Sequence, residues 1–203
     1  MFSESGPETK IDPDENSDEI ISEDIITYRE NSSQKLINIE ELEKKARGFI
    51  PKKAIDHGQD FSFKKFAEES LSLIAKAFPI TEGIFYLKET GTDEFIPVGD
   101  YAFFSEIPAA KFKLGVTLPG QVAKNKHAMN LSDIPEGYIK VASGLGQSSP
   151  LHLYFLPLIN NDEAIAVIEL ASFKEFDKET EKLFELGANE LSTALVKVHT
   201  RNL

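Results

Sequence analysis

Two apolar runs, Leu151–Ile159 and Ala164–Ala171, stand on either side of Asn160-Asn161-Asp162. Asn and Asp tolerate the left-handed backbone of tight turns and hydrogen-bond their own main chain. The pattern therefore predicts a central β-hairpin. Its second run is apolar on both faces apart from one acid, Glu169. A carboxylate inside such a strand is costly unless it is paired. Register decides what surrounds it. An even-numbered loop puts Glu169 on the sheet face of His152 and Tyr154, and an odd one puts it with Leu153 and Phe155. Two-residue loops are the commonest, so the face shared with His152 and Tyr154 is the expectation. Two roles stay open for Glu169: a strand-end acid reaching solvent or a backbone N–H, or a polar anchor on the floor of a ligand cavity.

Upstream, Asp133 and Pro135 have the chemistry of an N-cap and a first helical residue. They predict a short helix through Tyr138, Ile139 and Val141, closed by the loop Ser143-Gly144-Leu145-Gly146. Residues 62–78 place Phe63, Phe66, Ala67, Leu71, Ile74, Ala75 and Phe78 at spacings of three and four, an amphipathic helix capped by Ser62 or Asp60. Gly83–Lys88 and Phe95–Phe103 read as a hairpin around Glu89–Asp93, and Lys111–Leu114 as a third strand. Pro119–Lys126 reads as a short helix and Ala128–Leu131 as a short extended piece. With the central hairpin, five or six antiparallel strands are expected. Asp177–Val198 is the longest helix, with Glu179 and Glu181 at its start and Lys197, His199 and Arg201 at its end, both suited to the helix dipole. Phe184, Ala188, Leu191, Leu195 and Val198 follow a 4-3-4-3 spacing that resembles a heptad seam. Leu183, Leu186, Ala194 and Val196 widen it, so the helix is expected to pack on its own sheet and on a second subunit.

The N-terminal 37 residues are rich in Asp, Glu, Ser and Asn and are expected to be a mobile acidic extension. Residues 38–60 read as a short helix, with Glu40–Lys44 and Glu41–Lys45 pairs, followed by a linker. The domain then covers 61–199, and 200–203 form a tail. A net charge of −12 argues against nucleic-acid binding. No run of eighteen apolar residues is present, so no membrane span is expected. The absence of a basic-then-apolar leader points to the cytoplasm. The sequence contains no cysteine, which removes disulfides, thiolate metal sites and a Cys nucleophile. Its four histidines fall in no metal-ligand spacing. No Ser–His–Asp or paired-carboxylate pattern stands out, so the chain is expected not to be an enzyme, and no cofactor is expected.

Gly115–Ala123 (GVTLPGQVA), Asp133-Ile134-Pro135, Tyr138, the Ser143–Gly146 loop, Phe155–Leu158 and Val167–Phe173 together resemble GAF domains, the sensory modules of bacterial signal-transduction proteins. The resemblance covers roughly 61–199. It implies an α/β (α+β) fold: an antiparallel sheet with terminal helices on one face and short helices and loops on the other. It also implies a small-molecule cavity between sheet and middle loops. By motif match, Asn130, Tyr138, Ile139, Ser143, Gly144 and Gly146 would wall that cavity; the strand reading adds His152, Tyr154 and Glu169 as candidate contacts. The cyclic-nucleotide signature of the family is incomplete: Phe173 and Asp177 keep the spacing, but Lys178 replaces the acid. Family members that reduce free methionine sulfoxide, and those that attach bilins, need cysteines that this sequence lacks.

The expected function is a regulatory domain that binds a small molecule and signals through the terminal helices of a homodimer. No kinase, cyclase or DNA-binding segment is read after Leu203, so the expectation is either a separate signalling partner or a chain that is a piece of something longer. The alternative is a ligand-free module for dimerisation or docking, its cavity filled by its own Phe and Tyr side chains.

Overall fold

The computed structural model describes residues 39–55, 62–105, 107–132, 134, 141–143 and 146–201. The chain divides into two compact units, 1–40 and 41–203. In the first, residues 39 and 40 are described, and both are helical. The acidic extension read over 1–37 lies outside the described residues.

Among the described residues there are five helices: α1 (39–47), α2 (Lys52–Ile55), α3 (Phe63–Ala77), α4 (Thr117–Asn125) and α5 (Lys178–Arg201). The strands are β1 (Glu82–Lys88), β2 (Glu94–Tyr101), β3 (Phe112–Lys113), β4 (Met129–Leu131), β5 (Val141–Ser143), β6 (Gly146–Ser148), β7 (His152–Asn160) and β8 (Glu163–Ser172). Six of them form one antiparallel sheet in the order β3-β2-β1-β8-β7-β4. The strand count agrees with the expectation, and the hairpin β7–β8 lies inside the sheet as its apolar faces require.

Both sheet faces are covered. On one, α3 and α5 bury Phe66, Leu71 and Leu191 against Phe85, Leu156, Ile168 and Leu170. Helix α3 starts where Ser62 Oγ accepts a hydrogen bond from the Lys65 backbone N–H at 3.2 Å, the expected cap. It comes so close to β2 that a Cβ at Gly99 would lie 2.6 Å from the Ala67 Cβ. On the other face, Val122 and Ala123 of α4 meet Ile84, Tyr86, Phe95, Leu153, Phe155 and Val167. The α/β class and the layer order match the expectation.

Three expectations need correction. Val141 does not continue a helix. Residues 135–140 lie outside the described residues, but Val141–Ser143 pair with Gly146–Ser148 as a separate two-stranded ladder. β-branched Val141 suits a strand. The stretch read as a linker is partly core: Phe49 and Ala54 are each 1 % exposed. Phe49 meets Phe184 edge-on at 6.0 Å. Finally, the five residues read as a dimer seam, Phe184, Ala188, Leu191, Leu195 and Val198, are all buried in their own protomer's core. The sheet and the neighbouring helices take up the seam, so it presents no free surface to a second copy. Ala194, which widened the stripe, is buried there as well.

The β7–β8 turn has the expected length. Asn160 pairs with Glu163, and Asn161 and Asp162 both have positive φ, 47° and 62°. That is the backbone a two-residue hairpin turn needs. Beyond it, however, Ile159 pairs with Ala164 and Leu158 with Ala166, leaving Ile165 as one extra residue. This β-bulge shifts every later pair by one.

Candidate functional site

The bulge at Ile165 decides where Glu169 lies. Glu169 pairs with Phe155, and Tyr154 with Leu170. Directly opposed residues share a face, so Glu169 lies with Leu153 and Phe155 on the α4 side. The expected grouping of Glu169 with His152 and Tyr154 is therefore overturned. The loop length was read correctly, but an even-numbered loop followed by a one-residue bulge has the parity of an odd one.

Tyr154 belongs to the helix face. It is 1 % exposed, with its ring 5.3 Å from Phe176 and 5.4 Å from Phe184. Burial, reinforced by Glu185 and Glu181, pushes its hydroxyl well above the usual tyrosine range. Asn130 pairs with Tyr154 and shares its face. Its side-chain amide donates to the Phe176 carbonyl and to Glu181 Oε1, both at 2.8 Å. It ties β4 to the start of α5. His152, on the same face, pairs with Ser172. Its Nδ1 is buried with no hydrogen-bond partner among the described residues. These three residues are thus across the sheet from Glu169. Tyr138, Ile139 and Gly144 lie outside the described residues. Ser143 pairs with Gly146 in the β5–β6 ladder.

Glu169 stands in an apolar setting. It is 7 % exposed, and its Oε2 accepts a hydrogen bond from the Tyr86 hydroxyl at 3.4 Å. Burial raises its carboxyl to about 7, and the Tyr86 bond opposes that rise. The Tyr86 ring meets Phe112 at 4.9 Å, and Phe112 stacks on Phe95 at 5.0 Å.

A second acid on this face escaped the sequence reading. Glu82, at the start of β1, pairs with Ala171, while Ile84 pairs with Glu169. Glu82, Ile84 and Tyr86 therefore point to one side, and Glu82 is the diagonal neighbour of Glu169. It is 3 % exposed, and its Oε2 has no hydrogen-bond partner among the described residues. Burial raises it to about 7 too, with the Phe104 backbone N–H opposing. The signal was present: the period-two pattern of Ile84 and Tyr86, extended one step back, puts residue 82 on the covered face.

A separate groove of about 810 Å³ opens between the tips of β1–β2 and β7–β8 and the helix layer. Phe63, Leu87, Thr90, Ile165, Val196 and His199 are among the residues that line it. None of the expected ligand-binding residues contributes to it; of the expected seam, Leu195 does.

A family model described as "GAF domain" matches residues 62–196. Solved structures share the fold at low identity. The GAF domain of a phosphoenolpyruvate-protein phosphotransferase from Coxiella burnetii superposes with a TM-score of 0.62 at 14% identity, covering 82% of this chain and 97% of that one. The corresponding domain from Acinetobacter gives 0.57 at 12% identity, covering 82% and 95%. A free methionine-R-sulfoxide reductase from Neisseria meningitidis, solved with its substrate, gives 0.57 at 16% identity, covering 72% and 84%. No curated protein matches the sequence.

Proposed function

The chain belongs to the GAF domain family, whose members are generally sensory or regulatory parts of signalling proteins, and from that membership we propose that it is a ligand-binding regulatory domain. The ligand site we assign to it is on the Glu169 face of the sheet, between β1, β7, β8 and α4. The observation that carries this is the polarity of an otherwise apolar face. Two carboxylates and a tyrosine hydroxyl are buried among Ile84, Leu153, Phe155 and Val167. A core that only had to close would gain stability from apolar residues at those positions. A ligand with polar groups gives them partners.

In the same proposal the domain acts without catalysis, as a homodimer that hands its signal to a separate partner protein in the cytoplasm of a bacterium. The sequence has no cysteine nucleophile, which separates it chemically from thiol-based reduction. No described helix is long and apolar enough to cross a membrane. The pairing surface is not the Phe184–Val198 seam, which the protomer covers itself. Ligand binding would shift the packing of the middle segment, and α5 would carry the bias.

A second reading has its own support. The stack of Tyr86, Phe112 and Phe95 fills part of the α4 face with the domain's own rings. That favours a ligand-free docking module. Native mass spectrometry of protein gently purified from its own cells, beside a denaturing run, separates the two. Extra mass that leaves on denaturation supports the sensor. A clean apo protein, with no compound from a small-metabolite screen shifting resonances near Tyr86 and Phe155, overturns it in favour of the docking module. Light scattering on the same sample tests the dimer, and a monomer at all concentrations sinks it.

A further inference from the structure

We propose that the pocket takes a small organic cation, a ligand with a protonated amine or a guanidinium group, and that Glu82 and Glu169 together hold its charge. This rests on the ligand-binding reading above and names the ligand's chemical class.

The two acids sit on adjacent strands, β1 and β8, as diagonal neighbours on one face. Diagonal Cβ atoms are at most about 7–8 Å apart, close enough for two carboxylates to reach one bound group. Among the described residues, neither acid has a charged partner. The described ion pairs all lie elsewhere, as in Lys111 with Glu94, Lys126 with Asp162 and Lys88 with Glu163. Glu169 has one long bond, 3.4 Å, from the Tyr86 hydroxyl. Glu82 Oε2 is fully buried and accepts nothing among the described residues.

An unpaired buried carboxylate must take up a proton or find a cation. Burial has already raised both groups to about 7, so near neutral pH the proton is weakly held and a cation can displace it. Two acids favour one ligand charge over none and repel an anion. The apolar neighbours Ile84, Leu153, Phe155 and Ala171 suit an alkyl or ring body behind the charged head. A divalent metal is a poorer match. Hard cations take six or more oxygen ligands, and no group of three or more metal-ligating side chains occurs among the described residues.

The test titrates the full chain with butylamine and butylguanidine, with butyramide as the uncharged control. Calorimetry near pH 7 in two buffers of different ionisation enthalpy reads proton release directly. Expected are binding of both cations with net proton release, at least tenfold weaker binding near pH 5, where both acids are protonated, and at least tenfold loss in Glu82→Gln and in Glu169→Gln. Butyramide should bind wild type and variants alike. A readout without mutation is carboxyl carbon NMR of the wild type, in which both glutamates should titrate at lower pH once the cation is bound.

Cation binding unchanged in both variants, or with no effect on either carboxyl, overturns the proposal. So does the absence of binding at about 10 mM probe, the range of weak fragments. If a neutral or anionic compound then binds this face, the sensory reading stands and only the cation fails. If no compound binds and the native protein carries no extra mass, the ligand-binding reading fails with it.

Discussion

Burial moves the Glu169 carboxyl from its ordinary 4.5 to about 7. Between those values the folded chain holds a proton that the unfolded chain releases, so stability falls as pH rises through the window and levels off above it. At 1.36 kcal/mol per pH unit, Glu169 accounts for at most about 3 kcal/mol of that fall. Glu82 acts in the same direction. The acids Glu94, Asp177 and Glu181, each hydrogen-bonded by a neighbour, have lowered values. Their contribution is lost only as pH drops below the ordinary carboxylate range, outside this window. Glu169→Gln keeps the shape and removes the ionisation. Urea unfolding of the ligand-free protein should show wild-type stability declining from about pH 5 to pH 8, with a shallower decline in the variant. At about pH 8 the variant should be more stable by roughly 1–3 kcal/mol. Equal slopes would mean that Glu169 is solvated, and the buried-anchor geometry would be wrong.

Helix α5 shows how one element can be read correctly and still be assigned the wrong neighbour. Its start, its length and its buried stripe were legible, because twenty-odd residues of 3.6-fold periodicity average out local noise. What covered the stripe was not legible. Gly187 reads in sequence as a weak point of a helix, yet a Cβ there would lie 2.3 Å from Phe49 Cδ2. The glycine admits the Phe49 ring, and a contact 138 residues apart in sequence leaves no periodic trace. The hairpin β7–β8 behaves likewise. Its turn was legible from Asn161 and Asp162, whereas the extra residue at Ile165 carries no composition signal and reverses the face of Glu169. Gly187→Ala should therefore destabilise by about 1–3 kcal/mol through overpacking, despite gaining up to about 1 kcal/mol of helix propensity. Phe49→Ala alone should cost about 3–5 kcal/mol. The double variant should lose less than the sum, since the truncated side chain leaves room for the new methyl. A denaturant double-mutant cycle measures that coupling, and strict additivity would show that the two residues do not touch.

At the scale of the molecule, the stretch that the family model matches and the stretch that makes the core are different lengths. The match runs over 62–196, and the sequence reading also began the domain near 61. Yet Leu42, Ala46, Phe49 and Ala54 are all buried in the unit 41–203. These positions were hard to read because α2 has four residues and α1 little more than two turns. Segments that short give no periodicity beyond chance, and their burial comes entirely from α5 and its neighbours. Removing them together with Phe49 would uncover Gly187 and Phe184 along one side of α5. A domain of this size is stable by only about 5–15 kcal/mol, and Phe49 alone accounts for about 3–5 of that by its packing. The piece 62–203 should therefore lose at least about 3 kcal/mol relative to the piece 39–203. Its urea midpoint should fall and its slope should shrink, because less surface is left to expose. It should also bind a hydrophobic dye in its folded state, through the uncovered flank of α5. Equal midpoints for the two pieces would mean that α1 and α2 rest on the domain without stabilising it. The expected inequality has a functional side. A partner that drew α1 and α2 away would expose the same flank of α5, the helix proposed to carry the signal.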